Sequence, residues 1–268
     1  MKKLAKANEL MWVLGVMFVA LGVSICSKAD LGVSMIAAPA FIINEAVHSL
    51  WDGFSVGMIE YLVQGTMLVL LCIVVQRFNW RYLLAFLVAI IYGYVLDMWL
   101  LIFKDVHFDQ LYMQWIMLIV GDCITALGVA CFFRTYLPLQ VYELCVAEFA
   151  DRYKFDVPKV KWGYDGLCLA LSIVLAFGIF QDANEFDWST IYKASYHSLG
   201  LGTIVTTLIN APIIALCGKA LDKCFTYEAL LPKVEKFLKR EYKNKDGINA
   251  RDEEPQAQDN ILEAEKND

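Results

Sequence analysis

Charge is what this chain has least of. Asp, Glu, Lys and Arg make up 19% of its 268 residues, against about 25% in an ordinary soluble domain. Histidine is rarer still: there are three, with no HExxH and no His/Cys cluster, so no metal site and no cofactor is expected. The eight cysteines include no CxxC pair and mostly fall inside apolar runs. They are expected to be buried thiols acting as small apolar side chains rather than disulfide partners. No glycine-rich nucleotide loop and no nucleophile–base pairing is found, so catalysis and ATP-driven work by this chain alone lack support. Together these absences exclude a soluble enzyme, a nucleic-acid binder and a disulfide scaffold.

What is present is apolar: 59% of residues, with a mean hydropathy of +0.50. The excess is gathered into six blocks, Leu10–Cys26, Phe54–Gln76, Tyr82–Phe103, Gln110–Phe133, Lys161–Gln181 and Ala194–Gly218. Each is about long enough to cross a hydrocarbon core roughly 30 Å thick, and only helices satisfy their backbone inside lipid at this length. If the N-terminus is cytoplasmic, 20 of the 23 Lys and Arg residues fall on the cytoplasmic side, leaving Lys28, Lys104 and Lys193 outside. Such a bias predicts a multi-pass protein of the bacterial cytoplasmic membrane with both ends inside. The first block, with Lys2–Lys6 before it and Ser27-Lys28-Ala29 after it, also resembles a secretory signal peptide, but the repeat described next argues for a retained span. Trp51, Trp80, Trp99, Trp115 and Trp188, near span ends, fit interfacial anchors and equally fit a pocket lining.

Ala20-Leu21-Gly22-Val23-Ser24 closes the first span, and Ala126-Leu127-Gly128-Val129-Ala130 lies near the end of the fourth, 106 residues on. At the same offset Lys28 meets Arg134, Leu31 meets Leu137 and Gly32 meets Pro138. Each copy is followed by an apolar stretch too short to span, Met35–Val47 and Val141–Phe149. These stretches fit either re-entrant half-helices or amphipathic surface helices. Two units of three spans must lie in opposite senses, because three is odd, and inverted repeats of this kind build many secondary transporters. The expected architecture is therefore an all-α polytopic membrane protein. Residues 1–106 and 107–220 form two inverted three-helix repeats, 221–243 a cytoplasmic amphipathic helix and 244–268 a disordered polar tail.

Four stretches carry a family resemblance: Lys28-Ala29-Asp30-Leu31-Gly32-Val33-Ser34, Tyr92-Gly93-Tyr94-Val95-Leu96-Asp97, Leu137-Pro138-Leu139 with Glu143, and Gly200-Leu201-Gly202-Thr203. The chain resembles the bacterial YczE/YyaS/YitT-like membrane proteins, in particular a branch of unknown function. Glu143 stands where that family more often has Asp, and Met35 where it commonly has Pro. The resemblance implies an integral membrane protein, often guessed to be a transporter, and supplies no substrate.

Glu60, Asp97, Asp122 and Asp165 are the ionisable side chains inside the expected spans, and no Lys or Arg is expected to join them. A charge at the bilayer centre costs about 2.5–3.5 kcal/mol on insertion scales, so such residues usually face a cavity or a partner. Glu60 and Asp97 fall at similar depth in the outer third and are expected to bind or relay a cation. A Glu60 solvated at the outer surface is the competing reading. Asp122 fits a structural hydrogen bond or a transport role, and Asp165 fits snorkelling to the interface beside Lys161; Glu143, Asp165 and Asn210 stand as further candidates for binding solute or ion. Asn210 is expected to join helices, and Gly93, Gly200 and Gly202 to let them approach closely. The function expected is a secondary transporter or exporter of a small, cationic solute, coupled to protons. An accessory subunit with a separate energising partner is the alternative. Beyond lipid, a small-molecule solute and a further copy of the chain are the partners expected; nucleic acid is not.

Overall fold

A computed structural model describes residues 4–6, 8–48, 51, 53–76, 78–180 and 197–226. The expected tail helix and polar tail fall outside them from residue 227 on, as do Trp188 and Lys193. Eight helices follow in chain order: α1 (Asn8–Lys28), α2 (Ala38–His48), α3 (Val56–Val75), α4 (Trp80–Ile102), α5 (Leu111–Phe132), α6 (Val141–Tyr153), α7 (Val157–Phe180) and α8 (Leu201–Cys224). Two short strands, β1 (Leu4–Lys6) and β2 (Phe225–Thr226), pair in parallel beside the start of α1 and the end of α8. Six helices have 20–24 residues, and at about 1.5 Å per residue that is enough to cross a bilayer. They coincide with the six expected spans, although the fifth starts earlier, at Val157, and the sixth runs on to Cys224. Their outward faces carry Val69, Ile73 and Val74 on α3, Leu101 on α4, and Leu167 and Val174 on α7, all exposed. Such a rim suits hydrocarbon, and the chain is an all-helical polytopic membrane protein.

Local chemistry sets several helix ends. The Ser55 hydroxyl accepts from the Met58 amide at 3.2 Å and starts α3, and Asn79 Oδ1 accepts from the Arg81 amide at 3.3 Å and starts α4. Gln76 and Lys154, with φ of 52° and 55°, turn the chain out of α3 and α6. The stretches too short to span become α2 and α6. Each begins inside the bundle and ends outside it: residues 34–40 and 140–146 are buried, whereas Glu45 and His48, and Asp151 to Tyr153, are exposed.

Two of the long helices, α1 and α5, run antiparallel through the centre, and four glycines set their separation. Gly15 faces the Gly128 carbonyl, and Gly22 faces the Gly121 carbonyl. A Cβ on Gly121 would stand 2.7 Å from Cys26 Sγ and 2.9 Å from the Gly22 carbonyl. A Cβ on Gly128 would stand 2.7 Å from the Val19 amide. The two glycine pairs exchange at the 106-residue offset, Gly15 for Gly121 and Gly22 for Gly128. The other contacts exchange with them. α4 packs on α1 as α8 packs on α5, α3 on α4 as α7 on α8, and α2 on α7 as α6 on α3.

Between helices in lipid there is little hydrophobic drive, so close packing supplies the association energy. Gly22→Ala puts a methyl into the Gly121 backbone and is expected to cost about 1–3 kcal/mol, the usual range for overpacking. Gly163→Ala meets open space and is expected to be neutral or slightly stabilising. Thermal melting of the purified variants in one detergent tests the pair; equal melting temperatures would contradict the α1–α5 contact.

Candidate functional site

At the centre of the bundle, the buried starts of α2 and α6 meet α1 and α5 around an enclosed cavity. It has about 10 Å³ of room for the centre of a water-sized sphere. Ten of its twelve lining residues pair off at the 106-residue offset: Val19 with Thr125, Val23 with Val129, Ser34 with Gln140, Ile36 with Tyr142, and Ala37 with Glu143. The other two, Glu60 and Tyr92, come from α3 and α4. The cavity is thus lined mainly by residues that lie 106 apart in the chain, on α1 and α5 and at the starts of α2 and α6.

Its polar groups are almost completely withdrawn from solvent. Glu60 is 0% exposed, Gln140 1%, Glu143 2% and Tyr142 3%. Gln64, one turn along α3, donates to Glu60 Oε1 at 3.4 Å. No well-formed hydrogen bond among the described residues reaches Glu60 Oε2, Gln140 Oε1, the Tyr142 hydroxyl or Glu143 Oε2, although the Tyr142 hydroxyl lies near the Glu60 carboxyl. A buried polar atom left unpaired typically costs about 1–3 kcal/mol, so four around one cavity need a reason. Glu143 sits on a helix too short to span. Burial pushes its carboxyl up to about 7, and the nearby Lys161 ammonium pulls the other way.

A second polar group adjoins the first through α7. Lys161 Nζ lies 2.7 Å from Asp165 Oδ1, with the two side chains 3% and 0% exposed. Two expectations from the sequence change here. Asp165 does not snorkel to an interface, and the buried acids do have a base among them. The physical reason is the i,i+4 spacing, which lets the long Lys161 stem fold back along α7 and carry its ammonium inward to the carboxylate. Lys161 also lies within electrostatic reach of Glu143 and Asp122. Asn210 of α8 donates to Asp122 Oδ1 at 2.8 Å, joining α8 to α5.

Asp97 stands elsewhere. Its carboxylate accepts from the Ser55 hydroxyl at 2.6 Å and from the Gly57 amide at 2.8 Å, and so caps the start of α3. It is partly exposed while Glu60 is buried, so the two carboxyls do not share one environment. The carboxyl that shares the cavity with Glu60 is Glu143. Gly93 lies against Gly57, where a Cβ would stand 2.6 Å from the Gly57 carbonyl. Gly200 and Gly202 lie against the Leu31 backbone at the start of α8.

Gln64, Gln140, Tyr142 and Lys161 were not singled out as site residues in the sequence. Gln140 and Tyr142 could have been found by extending the offset from Ser34 and Ile36, and Lys161 from its helical spacing to Asp165. Gln64 follows Glu60 by four residues, a spacing too common to stand out.

The arrangement offers oxygen ligands and proton-accepting carboxyls in a closed space, beside one neutralised ion pair. Comparison with known proteins finds a family described only as a family of unknown function, DUF6198, matching residues 6–219. No curated protein matches the chain, and no solved structure does.

Removing the Lys161 charge alone strands a buried carboxylate, which typically costs about 3–5 kcal/mol. Lys161→Met is therefore expected to unfold or strongly destabilise the protein, and adding Asp165→Asn to recover most of the loss. A melting series over the wild type, both single variants and the double variant measures the coupling; additive losses would show that the pair does not act as a unit. Asp97→Ala should cost about 0.5–2 kcal/mol, as loss of a helix cap does.

Proposed function

The chain belongs to the DUF6198 family of unknown function, so no activity comes to it by kinship, and we propose that it is a secondary transporter of a small solute in the bacterial cytoplasmic membrane. The observation that carries this reading is the central cavity, lined by equivalent positions of two halves and holding two buried carboxyls with unpaired oxygens. Transporters built from inverted repeats place their sites near the midplane at the repeat interface, at interrupted segments. The antiparallel α1–α5 contact and the exchangeable helix packing support an inverted repeat of 1–106 and 107–220. The Lys and Arg distribution supports cytoplasmic termini, and the motif resemblance supports a place near the YczE/YitT-like proteins.

In this reading the two ends of the bundle are gates. At one end, the Val33 amide donates to the Ser198 carbonyl at 3.0 Å. Beside it the Gly202 amide donates to the Leu31 carbonyl at 2.9 Å, and the Thr203 hydroxyl to the Val33 carbonyl at 2.9 Å. Gly32 adopts φ +102° there, a conformation that favours glycine. At the other end, Arg134 pairs with both Asp222 oxygens at 2.7 and 2.8 Å. Asn8 Oδ1 accepts from the Tyr136 amide at 3.0 Å, and Trp12 Nε1 donates to the Pro138 carbonyl at 2.9 Å. The loops at residues 30–33 and 136–139 correspond at the repeat offset, and each docks on a helix of the other half. Opening one set while the other holds is alternating access, with Glu60 and Glu143 exposed to each side in turn.

Reconstitution tests the reading. Proteoliposomes bearing an imposed proton or sodium gradient are given a panel of labelled amines, amino acids and organic cations. Gradient-driven accumulation of at least one solute is expected, and Glu60→Gln is expected to abolish it while leaving the melting temperature near that of the wild type. Flux that appears only when an ATP-hydrolysing partner is added would assign the accessory role instead.

A further inference from the structure

We propose that the cavity between Glu60 and Glu143 binds one dehydrated monovalent metal cation of about the size of sodium. The inference deepens the transporter reading: it rests on that reading for why an ion is carried, and on the cavity alone for its binding.

Size comes first. The centre of a water-sized sphere can move through about 10 Å³ of the cavity, so a body the size of a water or a small ion fits inside it. In this closed form it suits a small ion better than a bulky organic solute. Ligand chemistry comes second. The unpartnered atoms that line it are all oxygens: two carboxylate, one amide and one phenolic, on Glu60, Glu143, Gln140 and Tyr142. Hard cations take oxygen ligands, whereas transition metals favour imidazole and thiolate. Among the described residues no cluster of three or more His, Cys, Asp or Glu is placed to hold a metal.

Charge then selects valence. If both carboxyls give up their protons as the cation enters, Glu60 and Glu143 bring two negative charges. The starts of α2 and α6 both border the cavity, and each helix N-terminus is equivalent to about +0.5 of a charge. About one negative charge is left, which one monovalent cation neutralises. Coordination agrees: Ca²⁺ takes about 6–8 oxygens and Mg²⁺ keeps several waters, and neither demand fits a space for one body with four free oxygens. Lys161 does not fill the role, because its ammonium is held by Asp165. Gln64 acts as a positioning residue, since its donation holds Glu60 Oε1 while Oε2 has no well-formed hydrogen bond and Glu60 lines the cavity.

The test uses the full-length protein in lipid nanodiscs, melted in NaCl, LiCl, KCl or choline chloride at equal ionic strength and fixed pH. A saturable rise in melting temperature is expected with sodium and absent with choline, and binding of radioactive sodium should saturate in step. Glu60→Gln and Glu143→Gln should each remove the sodium-specific rise while melting like the wild type in choline chloride. Gln64→Leu should weaken the apparent sodium affinity by about 10–100-fold, as loss of an outer-shell partner does. Equal rises in all four salts, a sodium effect that survives in both glutamate variants, or a response to protons alone would overturn the proposal. Sodium binding without gradient-driven flux would leave it standing and remove the transporter reading. Proton-driven flux without sodium binding would do the opposite.

Discussion

Everything in this bundle depends on how closely α1 and α5 approach. In water, two apolar helices are pushed together by the solvent; in hydrocarbon that push is gone, and association rests on van der Waals contact and hydrogen bonds. Gly15 on Gly128 and Gly22 on Gly121 remove the side chains that would hold the backbones apart. The contact is antiparallel and reciprocal, so whatever α1 carries on one side of it α5 carries on the other. α2 and α6, each leaving the membrane-length helix before it, are brought by this geometry to begin at the same place from opposite directions. The cavity follows from that meeting.

Polar groups are concentrated where the two halves meet, and the reason is again the surroundings. Water is not at hand to satisfy Glu60, Glu143, Asp122 and Asp165, so each must be paired, capped or held for a ligand. Asp165 is met by Lys161 and Asp122 by Asn210. Asp97, nearer the end of its helix, is spent on the backbone of α3. Each of the four buried acids keeps one oxygen without a well-formed hydrogen bond among the described residues, and Glu60 and Glu143 are the two that line one cavity. Glu60 is joined to the scaffold by Gln64 and Glu143 by backbone at the start of α6.

The six spans were legible because hydrophobic length is a local property: the runs that a bilayer requires are contiguous in the chain. The likeness of Ala20–Ser24 to Ala126–Ala130 was visible for a related reason, since residue types recur there at a constant offset. The site was only half legible. Glu60 is a visible anomaly within its apolar run, but its partner was misjudged, because Asp97 shares its depth on a neighbouring helix while Glu143 belongs to a helix that does not span. Lys161 was read as a boundary charge for want of any sign that its stem folds inward.

By itself, then, the sequence determined the number of long apolar spans and their helical form, because both are written in local composition. Only the tertiary structure decided which acids share a cavity, which acid is neutralised by a lysine and which serves as a cap. Those outcomes depend on the direction in which each side chain leaves its helix and on what packs opposite. In this protein both are set by a glycine-to-glycine contact between α1 and α5, helices that start about a hundred residues apart in the chain and whose packing is carried by close van der Waals contact.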